Sequence, residues 1–261
     1  MAPSPYAKPL QHADLPAGIR VVLGPGPLQE PPQQGRTSRV AFALDTGGRP
    51  VVVKRSVGPH LDLLRREARA LGALHPLGVP APAPLLYLEH AAPAGPEGWL
   101  VTPRWPGLTL EVALRTQEDP GHRAALLADF GTALARLHAT PPPPGFGSPD
   151  WLAGALTTAA RLNPAVDAAH LAQLRREQPG GRAATLIHGD LFLDNVMVAQ
   201  GRVTGFIDWG FAAVGDPRYD VAVAIHELSP ADQAAFIEGY GPAAQLTPQE
   251  TDFFVGVALL F

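Results

Sequence analysis

One stretch limits what this chain can fold into more than any other: His188-Gly189-Asp190-Leu191-Phe192-Leu193-Asp194-Asn195, with Ile207-Asp208-Trp209-Gly210 soon after it. The apolar run Thr185-Leu186-Ile187 enters a Gly-Asp corner, and Val196-Met197-Val198 and the run from Val203 to Ile207 flank a polar turn, Ala199 to Arg202. Apolar runs bounded by Gly, Asp and Asn predict short strands, the last two joined as a hairpin. The hairpin brings Asp190, Asn195 and Asp208 together. Two carboxylates and an amide oxygen are a hard oxygen set, which suits Mg2+, an ion that takes few protein ligands and completes its octahedron with water and phosphate oxygens. The pattern therefore points to phosphoryl transfer. Taken singly, each of these residues reads as a turn residue; their order between apolar strands is what favours chemistry.

Upstream, strands and loops alternate. Residues 1–17 carry prolines and little periodicity, which predicts a loose or partly helical lead-in, and Ile19 to Leu23 predicts a short strand. A Gly/Pro/Gln-rich stretch from Gly24 to Ser38, then Arg39 to Leu44, Gly47-Gly48 and Pro50 to Lys54, reads as loop, strand, turn, strand. A loop between strands can lay backbone N–H groups over phosphates. This one is not a Walker motif, because no Gly-Lys-Ser/Thr follows, nor a dinucleotide fingerprint, because Gly24-x-Gly26 lacks its third glycine and helix.

Lys54 stands out, since the chain holds 18 arginines but only Lys8 and Lys54 as lysines. A compact ammonium suits a point contact to α- and β-phosphates better than the wide fork of Arg; the alternative is a lysine snorkelling at a strand end. His60 to Leu74 reads as a helix with Leu64, Glu67, Ala68 and Leu71 on one stripe, and Leu85 to Glu89 with Trp99 to Thr102 close a small sheet. From Thr109 the periodicity is helical. Thr109 caps a short helix to Leu114, Gly121 to His138 is amphipathic, and Trp151 to Glu177 is helical with a break at Asn163-Pro164. Asp216-Pro217 starts another helix, and helices from Pro230 to Tyr240 and from Thr247 to Phe261 end the chain.

The motifs HGDLFLDN and GFIDWGFAAVGDPRYDVAVAIHEL resemble the catalytic half of the aminoglycoside phosphotransferase family, small-molecule kinases similar to protein kinases in fold. The resemblance implies an α+β, bilobal, protein-kinase-like fold. Its small antiparallel-sheet N-lobe, residues 1–102, would bind nucleotide, and its mostly helical C-lobe, residues 103–261, would carry catalysis and the acceptor. By motif position, Asp190 accepts or orients the hydroxyl proton of the acceptor, and Asn195 and Asp208 bind Mg2+, so the implied cofactor is Mg2+ with ATP or another nucleoside triphosphate. The kinase-like arrangement pairs Lys54 with Glu67; exposure of both, with Arg65, Arg66 and Arg69 as neighbours of Glu67, is the alternative. The flap over ATP falls at Gln34 to Ser38. The adenine-binding linker falls at Pro103 to Gly107, with backbone contacts near Val101 to Arg104. Pro103 has no N–H, which leaves Thr102 or Arg104 as donors.

Asp220 matches an aspartate that braces the catalytic loop. For the acceptor, the resemblance places Glu227 where relatives hold a substrate-facing acid, Asp167 in the loop between the two helices before the His-Gly-Asp motif, and the carboxylate of Phe261 at the end. The expected reaction is phosphorylation of a hydroxyl on a small, amine-bearing molecule, an aminoglycoside antibiotic first. A metabolic kinase for an amino-alcohol, sugar or ketosamine is the alternative, and a catalytically inactive nucleotide-binding module the third. The His-Arg-Asp, Asp-Phe-Gly and Ala-Pro-Glu strings of protein kinases are absent, which argues against a protein acceptor.

Charge sharpens this reading. Residues 1–102 hold 10 Lys and Arg against 7 Asp and Glu, whereas residues 103–261 hold 10 against 17. From Asp190 onward ten acids face only Arg202 and Arg218. The balance argues against a nucleic-acid partner and suits Mg2+ and cationic acceptors, with acidic solvated surface as the plain alternative. No apolar run of about 18 residues and no signal-like start are present, and cysteine is absent, so the expectation is a cytoplasmic protein without a membrane partner, monomer or dimer.

Overall fold

The computed structural model describes residues 8–35, 37–147 and 150–261. The first seven residues of the expected lead-in, and Arg36 of the expected flap, lie outside the described residues. The chain divides into two compact units: residues up to Pro76 together with Ala81–Pro106, and Leu77–Pro80 together with Gly107–Phe261.

In the first unit, helix α1 (Ala17–Arg20) is followed by strands β1 (Arg39–Leu44) and β2 (Pro50–Val57), helix α2 (Leu61–Leu74), and strands β3 (Leu86–Ala92) and β4 (Gly95–Pro103). The strands form one antiparallel sheet in the order β1-β2-β4-β3. The strand expected over Ile19 to Leu23 is instead a single helical turn, with Leu23 making only an isolated bridge to Asp45. Leu15, Ile19 and Leu23 recur every four residues and are all buried, and this helical spacing overrides the strand propensity of Val21-Val22. They pack with Ala41, Val53, Trp99 and Val101 on one face of the sheet.

Lys54 lies on the opposite face, inside β2 rather than at a strand end, because β2 runs three residues past Lys54, to Val57. The β1–β2 turn is set by Asp45, whose Oδ1 accepts from the N–H groups of Gly47 (2.8 Å) and Arg49 (2.9 Å). Helix α2 lies close on β4 at Gly98, where an added Cβ would sit 2.4 Å from Leu61 Cδ1.

The second unit begins with β5 (Leu108–Thr109) and α3 (Leu110–Thr116), then α4 (Pro120–Ala139), α5 (Trp151–Leu162) and α6 (Ala168–Arg176). Strands β6 (Thr185–Ile187), β7 (Val196–Ala199), β8 (Arg202–Phe206) and β9 (Ala213–Gly215) follow, and then helices α7 (Pro217–Ile225), α8 (Pro230–Tyr240) and α9 (Pro248–Ala258). Side chains cap these helices as their sequences predict. Thr109, Asp119, Asp216, Ser229 and Thr247 each accept from an N–H of the first turn. The last helix ends at Ala258, three residues short of the expected Phe261.

Strands β7 and β8 form the predicted hairpin, and β5 adds to it, whereas β6 pairs with β9. Gly107, at φ +107°, lets the chain enter β5, since a Cβ there would meet the Val198 carbonyl oxygen at 2.0 Å. One core of this unit joins Leu152, Leu174, Ile187, Tyr219, Val223 and Phe254.

Candidate active site

The loop after β6 is held by backbone bonds to one buried carboxylate. His188 and Gly189 donate their N–H groups to Asp220 at 2.6 and 2.9 Å, and Asp220 is fully buried in α7. Gly189 adopts φ +82°, and an added Cβ would sit 2.3 Å from the Phe211 carbonyl oxygen, so the corner requires glycine. The His188 ring packs at a tilt against Trp209 (4.5 Å between centroids) and its Nε2 donates to the Ile207 carbonyl at 2.9 Å. That leaves Nδ1 to accept from the Asp190 N–H at 3.3 Å. One imidazole thus ties the Asp190 corner to the residue preceding Asp208.

Asn195 closes the group. Its Nδ2 donates to the Asp190 carbonyl (2.8 Å) and to Asp190 Oδ2 (3.2 Å), while its own carbonyl accepts from the Ile207 N–H at 2.9 Å. Asp208 sits in the left-handed region at φ 68°, ψ 59°, a conformation that costs a non-glycine residue on the order of 1 kcal/mol and is held by its surroundings. Burial, with the charges of Asp208 and Asp194 behind it, pushes the Asp190 carboxyl up to about 7. Asp194 is also raised, first by burial and then by the charges of Asp208, Glu111 and Glu227.

The donor chemistry fits a hard divalent ion. Asn195 spends its NH2 on Asp190, which leaves its Oδ1 as an acceptor. Among the described residues no three His, Asp or Glu side chains gather as a ready-made cation cage. An amide oxygen and one carboxylate match Mg2+, which keeps most of its coordination for water and phosphate.

Within the first unit, Lys54 Nζ lies 2.7 Å from Glu67 Oε1, both side chains nearly buried. Ser38, just ahead of β1, is buried as well. Val101 packs in the sheet core and its carbonyl accepts from the Leu85 N–H at 2.8 Å. The linker departs from expectation: the Arg104 N–H donates to the Pro50 carbonyl at 3.0 Å, and alternation along the strand turns the Thr102 N–H toward β2 as well. Both donors are engaged by the sheet. The Arg104 side chain lies 3.7 Å above the Phe42 ring.

The three residues assigned to the acceptor are placed differently from one another. Phe261 packs edge-on against Phe211 (4.8 Å), two residues past Trp209, and the Leu260 carbonyl accepts from Asn163 Nδ2. Glu227 is exposed, 3.7 Å from His226, and near enough to Asp194 for its charge to act there. Asp167 caps α6 through the Ala169 N–H at 3.1 Å. Sequence reasoning missed Asp194 and Glu111. Their signals were present, one acid adjoining Asn195 and the other in the first turn of α3, but acids in such places usually serve as turn or helix-start residues.

Comparison with known proteins agrees with this geometry. Over 163 residues the chain is 33% identical to a homoserine kinase of Neisseria meningitidis serogroup B, covering 55% of this chain and 50% of that protein. Over 205 residues it is 31% identical to an aminoglycoside 3'-phosphotransferase of Streptomyces fradiae, covering 68% of this chain and 72% of the relative. The chain thus spans only half the length of the homoserine kinase it matches. In fold it is similar to an aminoglycoside phosphotransferase of Streptomyces rimosus, with TM-score 0.67 and 22% identity over 88% of this chain and 92% of the other. The α+β, protein-kinase-like architecture is that of these structures. With residues 29–254 matching the profile of the Phosphotransferase enzyme family, the chain belongs to that family.

Proposed function

We propose that this enzyme transfers the γ-phosphoryl group of ATP to a hydroxyl of a small, amine-bearing molecule. The observation that carries the reading is the Asp190 carboxyl, pushed to about 7 and hydrogen-bonded to Asn195. A carboxylate titrating near the working pH is matched to accept a proton from an alcohol, which is worth roughly 10²–10⁴-fold in rate. The acceptor oxygen forms the new P–O bond as the bond to the ADP oxygen breaks, and its proton passes to Asp190. Mg2+ held by Asn195 and Asp208 would neutralise the charge that develops on the phosphate oxygens. Lys54, oriented by Glu67, meets the phosphates, and Ser38 and the Val101 to Arg104 linker belong to the nucleotide site, without the Thr102 and Arg104 N–H groups, which the sheet engages.

The acceptor is a cation in this reading. The charges of Glu111 and Glu227 act on Asp194, and the sequence holds no Lys or Arg between Asp190 and Arg202. An ammonium-bearing molecule offsets them. Glu227, Asp167 and the terminal carboxylate of Phe261 are its proposed contacts. An aminoglycoside is the first candidate, supported by the relative that covers most of both chains. Homoserine is the second, supported by the 33% identity to a homoserine kinase.

An NADH-coupled ATPase assay with kanamycin, neomycin, choline, homoserine and fructosamines tests this. Stimulation by kanamycin or neomycin supports the first acceptor, and stimulation by homoserine, choline or a fructosamine supports a metabolic kinase. Tight ATP binding without stimulation by any of them sinks the proposal in favour of an inactive nucleotide-binding module.

A further inference from the structure

Two helices of the second unit meet more closely than side chains usually allow. A Cβ added at Gly131 of α4 would lie 2.1 Å from the Phe236 carbonyl oxygen, and one at Gly239 of α8 would lie 1.8 Å from that of Ala128. The backbones touch because both helices carry glycine there. Thr132 Oγ1 fastens the contact by donating to the Gly239 carbonyl at 3.1 Å. One residue on, Tyr240 stacks on Phe236 and meets the His138 ring edge-on.

The close approach delivers the Tyr240 hydroxyl to His138 Nδ1 at 2.7 Å. The other ring nitrogen, Nε2, lies 3.2 Å from Asp220 Oδ2, the oxygen that also accepts the His188 N–H. Because carboxylate oxygens only accept, Nε2 carries the hydrogen and Nδ1 is left to accept from the phenol. Burial, with the Asp220 charge, pushes the Tyr240 phenol up to about 12, so the hydroxyl keeps its proton. A flipped imidazole would break both bonds and present C–H groups to a buried carboxylate.

We propose that Tyr240 is a positioning residue: through His138 it fixes the orientation of Asp220, and through Asp220 the backbone of His188 and Gly189 that aims Asp190. The kinetic consequence rests on the phosphotransferase reading above, whereas the hydrogen-bond chain stands without it. α8 is in this view a buttress of the catalytic loop as well as a core helix.

Tyr240→Phe in the full chain tests the role, since it keeps both ring contacts and removes only the hydroxyl. The amide exchange rates of His188 and Gly189 should rise about 3- to 10-fold, the worth of one net hydrogen bond. The kcat with kanamycin or homoserine, whichever the enzyme phosphorylates, should fall by a similar factor while KM for ATP and acceptor holds. Exchange at the wild-type rate overturns the proposal, as does faster exchange spread over α4 and α8 rather than focused on these two amides. His138→Asn, too short to reach Asp220 from α4, should speed exchange at least as much, and wild-type exchange in that variant is equally fatal. If neither alcohol is phosphorylated, the assigned reaction has failed while the exchange rates still decide the relay.

Discussion

In the first unit the buried cation and the buried acid are each other's partner, Lys54 Nζ and Glu67 Oε1 lying 2.7 Å apart. In the second unit Asp190 is raised first by burial and then by the charges of Asp208, Asp194 and Asp220, all of one sign. The only bases after Asp190 are occupied elsewhere: Arg202 pairs with Asp129, and Arg218 with Asp216 and Glu250. A pair of opposite charges offsets part of its own desolvation, whereas like charges around a buried carboxyl favour its protonated form. The first arrangement holds a lysine in place, and the second raises the proton affinity of Asp190. This contrast separates the two units more sharply than secondary structure does.

The largest expected effect lies in the second unit. Asp190→Ala should lower turnover by roughly 10²–10⁴-fold, the usual contribution of a positioned base, while calorimetry still detects nucleotide binding. Unchanged turnover would remove Asp190 from the chemistry. Next comes the pair in the first unit. Lys54→Met leaves Glu67 buried without its cation and should cost about 3 kcal/mol in urea unfolding, and adding Glu67→Leu should recover most of that loss. A double variant as unstable as the single one would show that the pair is not the self-contained unit described above.

Much of this was legible before any coordinates. The hairpin and several helix caps follow from spacing, the cost of an unpaired carboxylate on a core-facing stripe demands a partner for Glu67, and the family resemblance named Lys54 as that partner. What escaped was set by tertiary contact. Val21-Val22 reads as strand until Leu15, Ile19 and Leu23 are seen to share one buried face. Thr102 and Arg104 look like free donors until β2 is placed alongside them. His138 reads as the end of an amphipathic helix, because nothing near it in sequence announces Asp220, 82 residues away, or Tyr240, 102 away.

The smallest effect is the one that separates the two kinds of charge most cleanly. The Asp190 carboxyl titrates near 7 in the folded chain and near 4 when unfolded, so between those values the folded state holds a proton that the unfolded state has released. Stability contributed at this group is therefore highest at acid pH and falls as pH rises from about 4 to about 7. Asp190→Asn has no such proton to lose. Its melting temperature should match wild type near pH 5 and exceed it by a few degrees at pH 8, read by differential scanning fluorimetry. Mg2+ with ATP should narrow that gap by stabilising wild type more than the variant, because the cation relieves the repulsion that the amide never feels. A gap of equal size at pH 5 and pH 8 would mean that Asp190 is held by some neighbour as securely as Glu67 is held by Lys54, and the distinction between the two sites would dissolve.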